Sequence, residues 1–321
     1  MIKRWIILLL AVQTAAAAAL AVLLYHEWRP PLLAALPALH ALLCAAFGVA
    51  AVIAVRLLLS LNNFHLSAHF GSATPDAHKL NAVSALRLIG GEFLSSLRVS
   101  TLDMLRPVGL RLTPQAQAQG LPVLLLHGYA CNSGYWRPLS ALLAQANISH
   151  LAIDLEPLGA GIDELAPQVQ AAVQRLCAAT GSAQVVIVGH SMGGLVARAW
   201  LRRYGAAQSA RIVTLGSPHQ GTALARTAPG RNGAQMRRGS AWLVELAAAE
   251  ANLQREIFTS IYSVHDNIVA PQDSSHIPRA RNLVYGGIGH VALGRHPAIL
   301  AAVLDEVRQA GASQDKRRKS S

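Results

Sequence analysis

The chain has 321 residues, enough for one large domain with an appendage or for two modest domains. Hydrophobic residues make up 52% and charged residues 14%, less charge than an ordinary soluble chain carries, so part of it belongs in lipid or deep in a core. The net charge of +12 comes from scattered Arg and one tail cluster at 316–319; no Lys/Arg stripe interleaves with aromatics, which argues against a nucleic-acid partner, and basic residues beside a membrane span account for the same excess.

The first 61 residues read as a membrane anchor. Residues 5–25 carry no charge, and about 20 such residues suffice to span a bilayer. Residues 38–55 form a second uncharged run, extended to 60 if Arg56 snorkels at its end. A cleaved signal peptide is the rival reading, since alanines 15–19 offer cleavage sites, but apolar residues continue to Tyr25 and a second run follows. Lys3 and Arg4 precede the first run and Arg56 closes the second, so the positive-inside rule puts both ends of a hairpin in the cytoplasm; a single span would put the remainder in the periplasm. Residues 62–98 read as a linker with a short helix within 80–97. Residues 312–321 read as a basic, disordered tail. Three cysteines are too few for a disulfide framework, and none has metal-type spacing; a bridge between Cys131 and Cys177 has no support beyond their presence.

From about residue 99 the pattern changes. Short apolar runs at 122–126, 150–153, 184–188, 211–215, 257–264 and 282–285 read as strands. Helical periodicity occupies 135–146, 163–179, 192–204 and 297–308 between or after them. Strands alternating with helices predict an α/β fold: a mostly parallel central sheet with helices on both faces. Ligands bind such sheets at the carboxyl edge of the strands, so the residues after each strand matter most.

After the strand at 184–188 comes Gly189-His190-Ser191-Met192-Gly193-Gly194, a G-x-S-x-G pattern between a strand and a helix. Small residues two positions either side of Ser191 permit the tight turn that lifts a nucleophilic hydroxyl out of the sheet. The helix starting at Met192 aims unpaired N–H groups at the site, and the Met192 N–H is one candidate oxyanion donor. Tyr129 is the second, because His127-Gly128-Tyr129 follows the strand at 122–126 directly and Gly128 lets the backbone come close. His127 fits a loop-orienting role better than a base. Downstream, Asp266 follows the strand at 257–264 and His290 follows the strand at 282–285, in the order nucleophile, acid, base that this fold requires. Asp273 and Glu245 are fallback acids, His276 and His296 fallback bases; His265 reads as a surface or supporting residue, and His219 as lining a cleft. Residues 223–251 are longer than a usual connection and include an apolar helix at 242–249, which reads either as a cap or as an extra packed helix.

Together with Leu215-Gly216-Ser217-Pro218-His219-Gln220-Gly221-Thr222, the Asp266-x-Ile268-Val269-x-Pro271 segment, Gly289-His290, and Gln235-Met236-x-x-Gly239-Ser240-x-x-Leu243-x-x-Leu246, these motifs resemble bacterial triacylglycerol lipases and related esterases of the α/β-hydrolase superfamily over residues 120–310. The resemblance implies Ser191 as nucleophile, Asp266 as acid, His290 as base and Tyr129 and Met192 as oxyanion donors, with His127, Gly128, Gly189, His190 and Gly193 supporting them. It implies an acyl ester or lipid substrate and no cofactor. The structural calcium of some lipases is not carried over, for want of a carboxylate cluster. The N-terminal hairpin departs from secreted lipases and suggests the bacterial inner membrane. An acyltransferase or thioesterase would share the triad; a non-catalytic membrane interaction protein or a transport component would not need it.

Overall fold

A computed structural model of the chain describes residues 2–28, 30–249 and 255–320. It opens with two long helices, α1 (Ile2–Glu27) and α2 (Pro37–Phe70), each long and apolar enough to cross a membrane. They pack closely at Gly48, where a Cβ would stand 2.3 Å from the Ala17 carbonyl oxygen, beside the buried Cys44. Tyr25 stacks on His40 at 4.7 Å between ring centroids. Helix α2 runs ten residues past its expected end at 60, since nothing between 57 and 70 is Gly or Pro. Arg56 therefore lies in mid-helix, not at the end of a span. Its guanidinium bonds Gln13 Oε1 at 3.4 Å and the Ser100 hydroxyl, which satisfies it in place.

Residues 62–98 are not a linker. They hold the last turns of α2, a short polar turn and α3 (Ala82–Arg98), whose N-terminus is capped by Asn81 Oδ1 accepting from the Ser84 N–H at 2.9 Å. Helix α3 is amphipathic. Leu88 and Glu92 are buried, while Val83, Leu86 and Leu94 are exposed. A π-helical turn, Val99–Asp103, ends it.

The sheet has seven strands: β1 (Leu110–Arg111), β2 (Val123–Leu126), β3 (His150–Ile153), β4 (Val185–His190), β5 (Ser209–Leu215), β6 (Phe258–Ser263) and β7 (Arg281–Tyr285). Their spatial order is β1-β3-β2-β4-β5-β6-β7, all parallel except the antiparallel edge strand β1. Side chains alternate between two cores. Val123, Leu125, Val186 and Val188 face one side, covered by α4 (Arg137–Gln145) and α9 (Pro297–Ser320). Leu124, Leu126, Val185 and Ile187 face the other, covered by α5 (Ile162–Thr180) and α6 (Met192–Tyr204). Each of these strand side chains is fully buried, worth about 1.5–3 kcal/mol for a Leu or Val.

In the insertion, α7 (Gly230–Gln235) and α8 (Ala241–Ala249) pack on the second core through Met236 and Leu243, and Leu246 is also buried. The last residues of the expected cap region, 250 and 251, lie outside the described residues. The tail expected to be disordered continues α9 as far as Ser320, because its Gln, Lys and Arg residues are helix formers with no Gly or Pro after Gly311. Cys131 and Cys177 are free thiols.

The N-terminal segment is docked on the sheet domain. Ile2 and Ile6 are buried in the first core. Asp103, buried, gathers three arginines: Arg295 Nη1 at 2.5 Å, Arg137 Nε at 3.7 Å and Arg98 Nε at 3.8 Å. This joins the π turn to α4 and to the chain just before α9. Two of the three arginines are 40% and 60% exposed, which weakens their share through solvent screening. Asp103→Asn should therefore lower the unfolding free energy by about 2 kcal/mol, below the 3–5 kcal/mol of a fully buried pair. Denaturant unfolding of the detergent-solubilised chain measures this, and an unchanged midpoint would show that the cluster does not hold the segment.

Candidate active site

Strand β4 ends and helix α6 begins at Ser191, whose backbone is held at φ 53°, ψ −123°, a positive φ that side-chain-bearing residues seldom adopt. The glycines around it explain how the chain tolerates the turn. A Cβ on Gly193 would lie 2.3 Å from the Leu126 carbonyl oxygen, and one on Gly189 would lie 2.7 Å from Gly193 C and Gly194 N. The first turn of α6 thus presses against β2 and the end of β4. The Ser191 N–H donates to the Leu215 carbonyl at 2.9 Å, fixing the turn to β5 as well.

Asp266 follows β6 in a tight turn and is buried. Its Oδ1 accepts the N–H groups of Ile268 and Val269, each at 2.8 Å, and its Oδ2 lies 2.8 Å from His290 Nδ1. His290 follows β7, and its own N–H donates to Asn267 Oδ1 at 3.0 Å, so the acid turn holds the histidine by backbone and ring together. With Oδ1 saturated by amides, Oδ2 is left to take the Nδ1 proton, which leaves Nε2 as the free ring nitrogen. Burial pushes the His290 pKa down; the Asp266 charge and hydrogen bond, aided by Glu92, push it up further, and the net is a pKa above the ordinary histidine value.

Gly216, immediately after Leu215, is where these parts meet. Its φ is +51°, and a Cβ there would stand 2.9 Å from Asp266 Oδ2, 3.3 Å from His290 Nδ1 and 2.6 Å from Leu293 Cδ1. The serine turn hangs from Leu215, and the acid–histidine pair lies against the next residue. The His190 ring also contacts the His290 ring at 4.6 Å between centroids, and His190 Nε2 lies 3.1 Å from the His290 carbonyl, so it donates that bond. On its other face His190 stacks on Tyr135 at 4.3 Å, and burial, then the charge of His290, hold it well below the ordinary histidine pKa.

The loop after β2 completes the surroundings. A Cβ on Gly128 would be 3.0 Å from both Ser191 Cβ and His190 Nδ1, so the Gly128 backbone lies against the serine and Tyr129 follows it. His127 is buried. Its Nε2 accepts the Leu155 N–H at 2.8 Å, which assigns the proton to Nδ1, and that proton goes to the Gly128 carbonyl at 2.8 Å. A ring with both nitrogens committed ties the loop to the end of β3. Tyr129 reaches the insertion, its hydroxyl donating to the Pro229 carbonyl at 2.8 Å. At the first position of α6, the Met192 N–H has no acceptor one turn back within the helix.

The fallback residues stand apart. Asp273, Glu245, His276 and His296 are exposed. His265 accepts the Gly287 N–H at 3.0 Å and braces the loop before His290. His219, expected to line a cleft, is instead buried, with Nε2 3.0 Å from the Thr214 hydroxyl; a short turn after β5 folds its ring back onto that strand. Sequence reasoning missed three supporting residues. Asn267 and Gly216 sat inside motifs already singled out, without an assigned part. Glu92 came from α3, where it is the only acid between Asp76 and Asp103, a signal that was open to reading. Gly216→Ala should push Asp266 and His290 off their present positions and strain the backbone. The rate at which the Ser191 hydroxyl takes a fluorophosphonate should fall by about tenfold or more, and a wild-type rate in this variant would show that the three groups do not work as a unit.

Residues 122–242 match the family model described as the alpha/beta hydrolase fold. Over 117 residues the chain is 32% identical to a triacylglycerol lipase of Pseudarthrobacter phenanthrenivorans and to another of Burkholderia plantarii, a match covering 32% of this chain. It spans about a third of those relatives' length, 35% and 31% respectively. Among solved structures, the mature lipase BlEst2 of Bacillus licheniformis aligns over 61% of this chain and 94% of its own, at a TM-score of 0.53 and 16% identity. Lipase B of Aspergillus fumigatus aligns over 61% and 55%, at 0.53 and 16%. The chain has the α/β-hydrolase fold, with lipases among its relatives.

Proposed function

We propose that the protein is a serine hydrolase of carboxylic esters, acting on acyl-chain substrates at a membrane through an acyl-enzyme on Ser191. The observation that carries this is the buried Asp266–His290 pair set against Gly216, next to the residue from which the strained serine turn hangs. A strained serine at the head of a helix, on the same sheet edge as an imidazole whose Nδ1 is taken by a carboxylate, is the arrangement acyl transfer needs.

In the first step His290 Nε2 takes the Ser191 proton as the oxygen attacks the ester carbonyl. The Met192 and Tyr129 N–H groups receive the oxyanion, each worth about 3 kcal/mol in the transition state. Asp266 fixes the tautomer and stabilises the imidazolium. The proton then passes to the leaving alcohol. In the second step His290 removes a proton from water, which attacks the acyl carbon and frees the carboxylic acid and Ser191. The lipase names of the sequence relatives support an ester substrate.

The place of the site supports a lipid source. The end of the hairpin is built into the catalytic body through Ile2, Ile6 and Arg56. Next to it, α3 leaves Val83, Leu86 and Leu94 57%, 70% and 63% exposed. With α1 and α2 in a bilayer, that face lies at the lipid interface, where an apolar helix face binds acyl chains.

Three measurements test the reading. Fluorophosphonate should label the full chain in detergent and fail to label Ser191→Ala; a labelled Ser191→Ala sinks the nucleophile. The base must be neutral to act, so kcat/KM on a soluble ester should fall as pH drops through the His290 pKa, with the midpoint above the ordinary histidine range. A midpoint below that range contradicts the assignment. Leu86→Glu with Leu94→Glu should depress hydrolysis of a long-chain ester in vesicles by about tenfold relative to that of a soluble acetate ester; an unchanged ratio removes the interfacial part. Product analysis with added alcohols reads hydrolysis against acyl transfer.

A further inference from the structure

Glu92 lies far along the chain from every motif of the site, yet its carboxylate is within it. It is 2% exposed on the inner side of α3. Its Oε1 accepts the Val291 N–H at 3.0 Å and its Oε2 the Ala292 N–H at 2.9 Å, the two amides that follow His290. The same side chain packs against the residue before the histidine, since a Cβ on Gly289 would lie 2.5 Å from Glu92 Oε2 and 2.7 Å from Glu92 Cβ. Glu92 thus bonds the chain after His290 and packs on the chain before it, while Asn267 holds the His290 N–H and Asp266 its ring.

We propose that Glu92 is a positioning residue for His290, and that α3 is therefore part of the active site. This rests on His290 being the base. The chemistry of the contact is specific. Two amide donors converge on one side chain, and only a group with two acceptors satisfies both. A carboxylate also adds negative charge behind the imidazole, which favours the imidazolium formed in each proton transfer. The other groups packed around this pair are Asp266 after β6, His190 at the end of β4 and Tyr135 before α4. Burial, reinforced by nearby charges, keeps both His190 and Tyr135 neutral through the working pH range, so the charge balance on His290 is set by Asp266 and Glu92.

Glu92→Gln keeps the shape but turns an NH2 group toward one of the two amides and removes the charge. Glu92→Asp keeps the charge but shortens the reach. The test is fluorophosphonate labelling of the full chain in detergent across a pH series, together with KM and kcat for a soluble ester. The rate constant of labelling is read per reactive site, so partial misfolding does not mimic the effect. For Glu92→Gln the labelling rate and kcat should fall by about 10- to 100-fold, the displacement of a base by a fraction of an ångström having that scale. KM should change by less than about twofold. The acid-side midpoint should move to lower pH, because a negative charge that raised the His290 pKa has gone. For Glu92→Asp the rate should fall while the midpoint stays near that of the wild type. Wild-type rate and midpoint in Glu92→Gln overturn the proposal. If that variant yields no folded protein, an unchanged rate in Glu92→Asp overturns it instead. His290→Ala separates the two levels: it should abolish labelling, and if it labels at the wild-type rate the base assignment itself has failed.

Discussion

The close approach of β2 to the first turn of α6 is the constraint from which the site follows. At Gly193 the two backbones are so near that a single methyl group would overlap the Leu126 carbonyl. Such contact forces the chain to leave β4 abruptly, and the positive φ at Ser191 is the result. The strain is held by the Ser191 N–H bond to Leu215 and by the packing of Leu195, Val196 and Trp200, all fully buried on α6. The serine cannot drift without pulling a helix away from a sheet. Its neighbours are consequently fixed in kind: the β2 loop on one side, where Gly128 lies against it, and the β5 end on the other, where Gly216 makes room for Asp266 and His290.

Most of this was legible because it depends on local chemistry. The apolar strands and the G-x-S-x-G turn are properties of short segments, and the strands were placed within a residue or two; the same local reading set Asp266 and His290 after their strands, where the two side chains pair. What the sequence hid depends on long-range contact. Strand β1 is two residues long and pairs only with β3, too short for any alternating pattern to register. Helix α2 was expected to end at 60, just past Arg56, because a charge in an apolar run looks like the end of a span. Gln13 and Ser100, 43 and 44 residues away, make it an interior position. His219 looked cleft-lining because it follows a strand, whereas a bond to Thr214 folds its ring back into the body. Glu92 was hidden for the same reason: its partners lie 199 and 200 residues ahead.

Two buried carboxylates beside one imidazole raise an electrostatic question. Like charges in a low-dielectric site disfavour one another, and burial, with the Asp266 charge, holds the Glu92 carboxyl above its ordinary pKa even though two amides and His290 pull it down. The arrangement persists because neither carboxylate is left to its neighbour for support. Asp266 takes two amides on Oδ1, and Glu92 takes one amide on each oxygen. Hydrogen bonds from fixed amides stabilise an anion where water is excluded. Between them stands His290, whose protonated form is drawn to both. A stronger base is gained at a cost, since more of it is protonated at any given pH. The neutral His190 ring against it adds bulk and one hydrogen bond without adding charge.

On the proposed mechanism, that balance gives the N-terminal third of the chain a share in the chemistry. An active site built only from the ends of β4, β6 and β7 would leave the backbone after His290 with two amides facing a buried space. Helix α3 supplies their acceptor on one side while its other side exposes Val83, Leu86 and Leu94. Its far end runs into the π turn, where Ser100 meets Arg56 of α2 and Asp103 meets Arg295, five residues beyond His290. The histidine segment is therefore tethered twice to the same N-terminal element, once by Glu92 and once by Asp103. A tilt of α3 would reach the His290 segment through both contacts. One helix thus carries both an exposed apolar face and the carboxylate that meets the histidine segment, and under the proposed function the surface offered to lipid is rigidly connected to the proposed base.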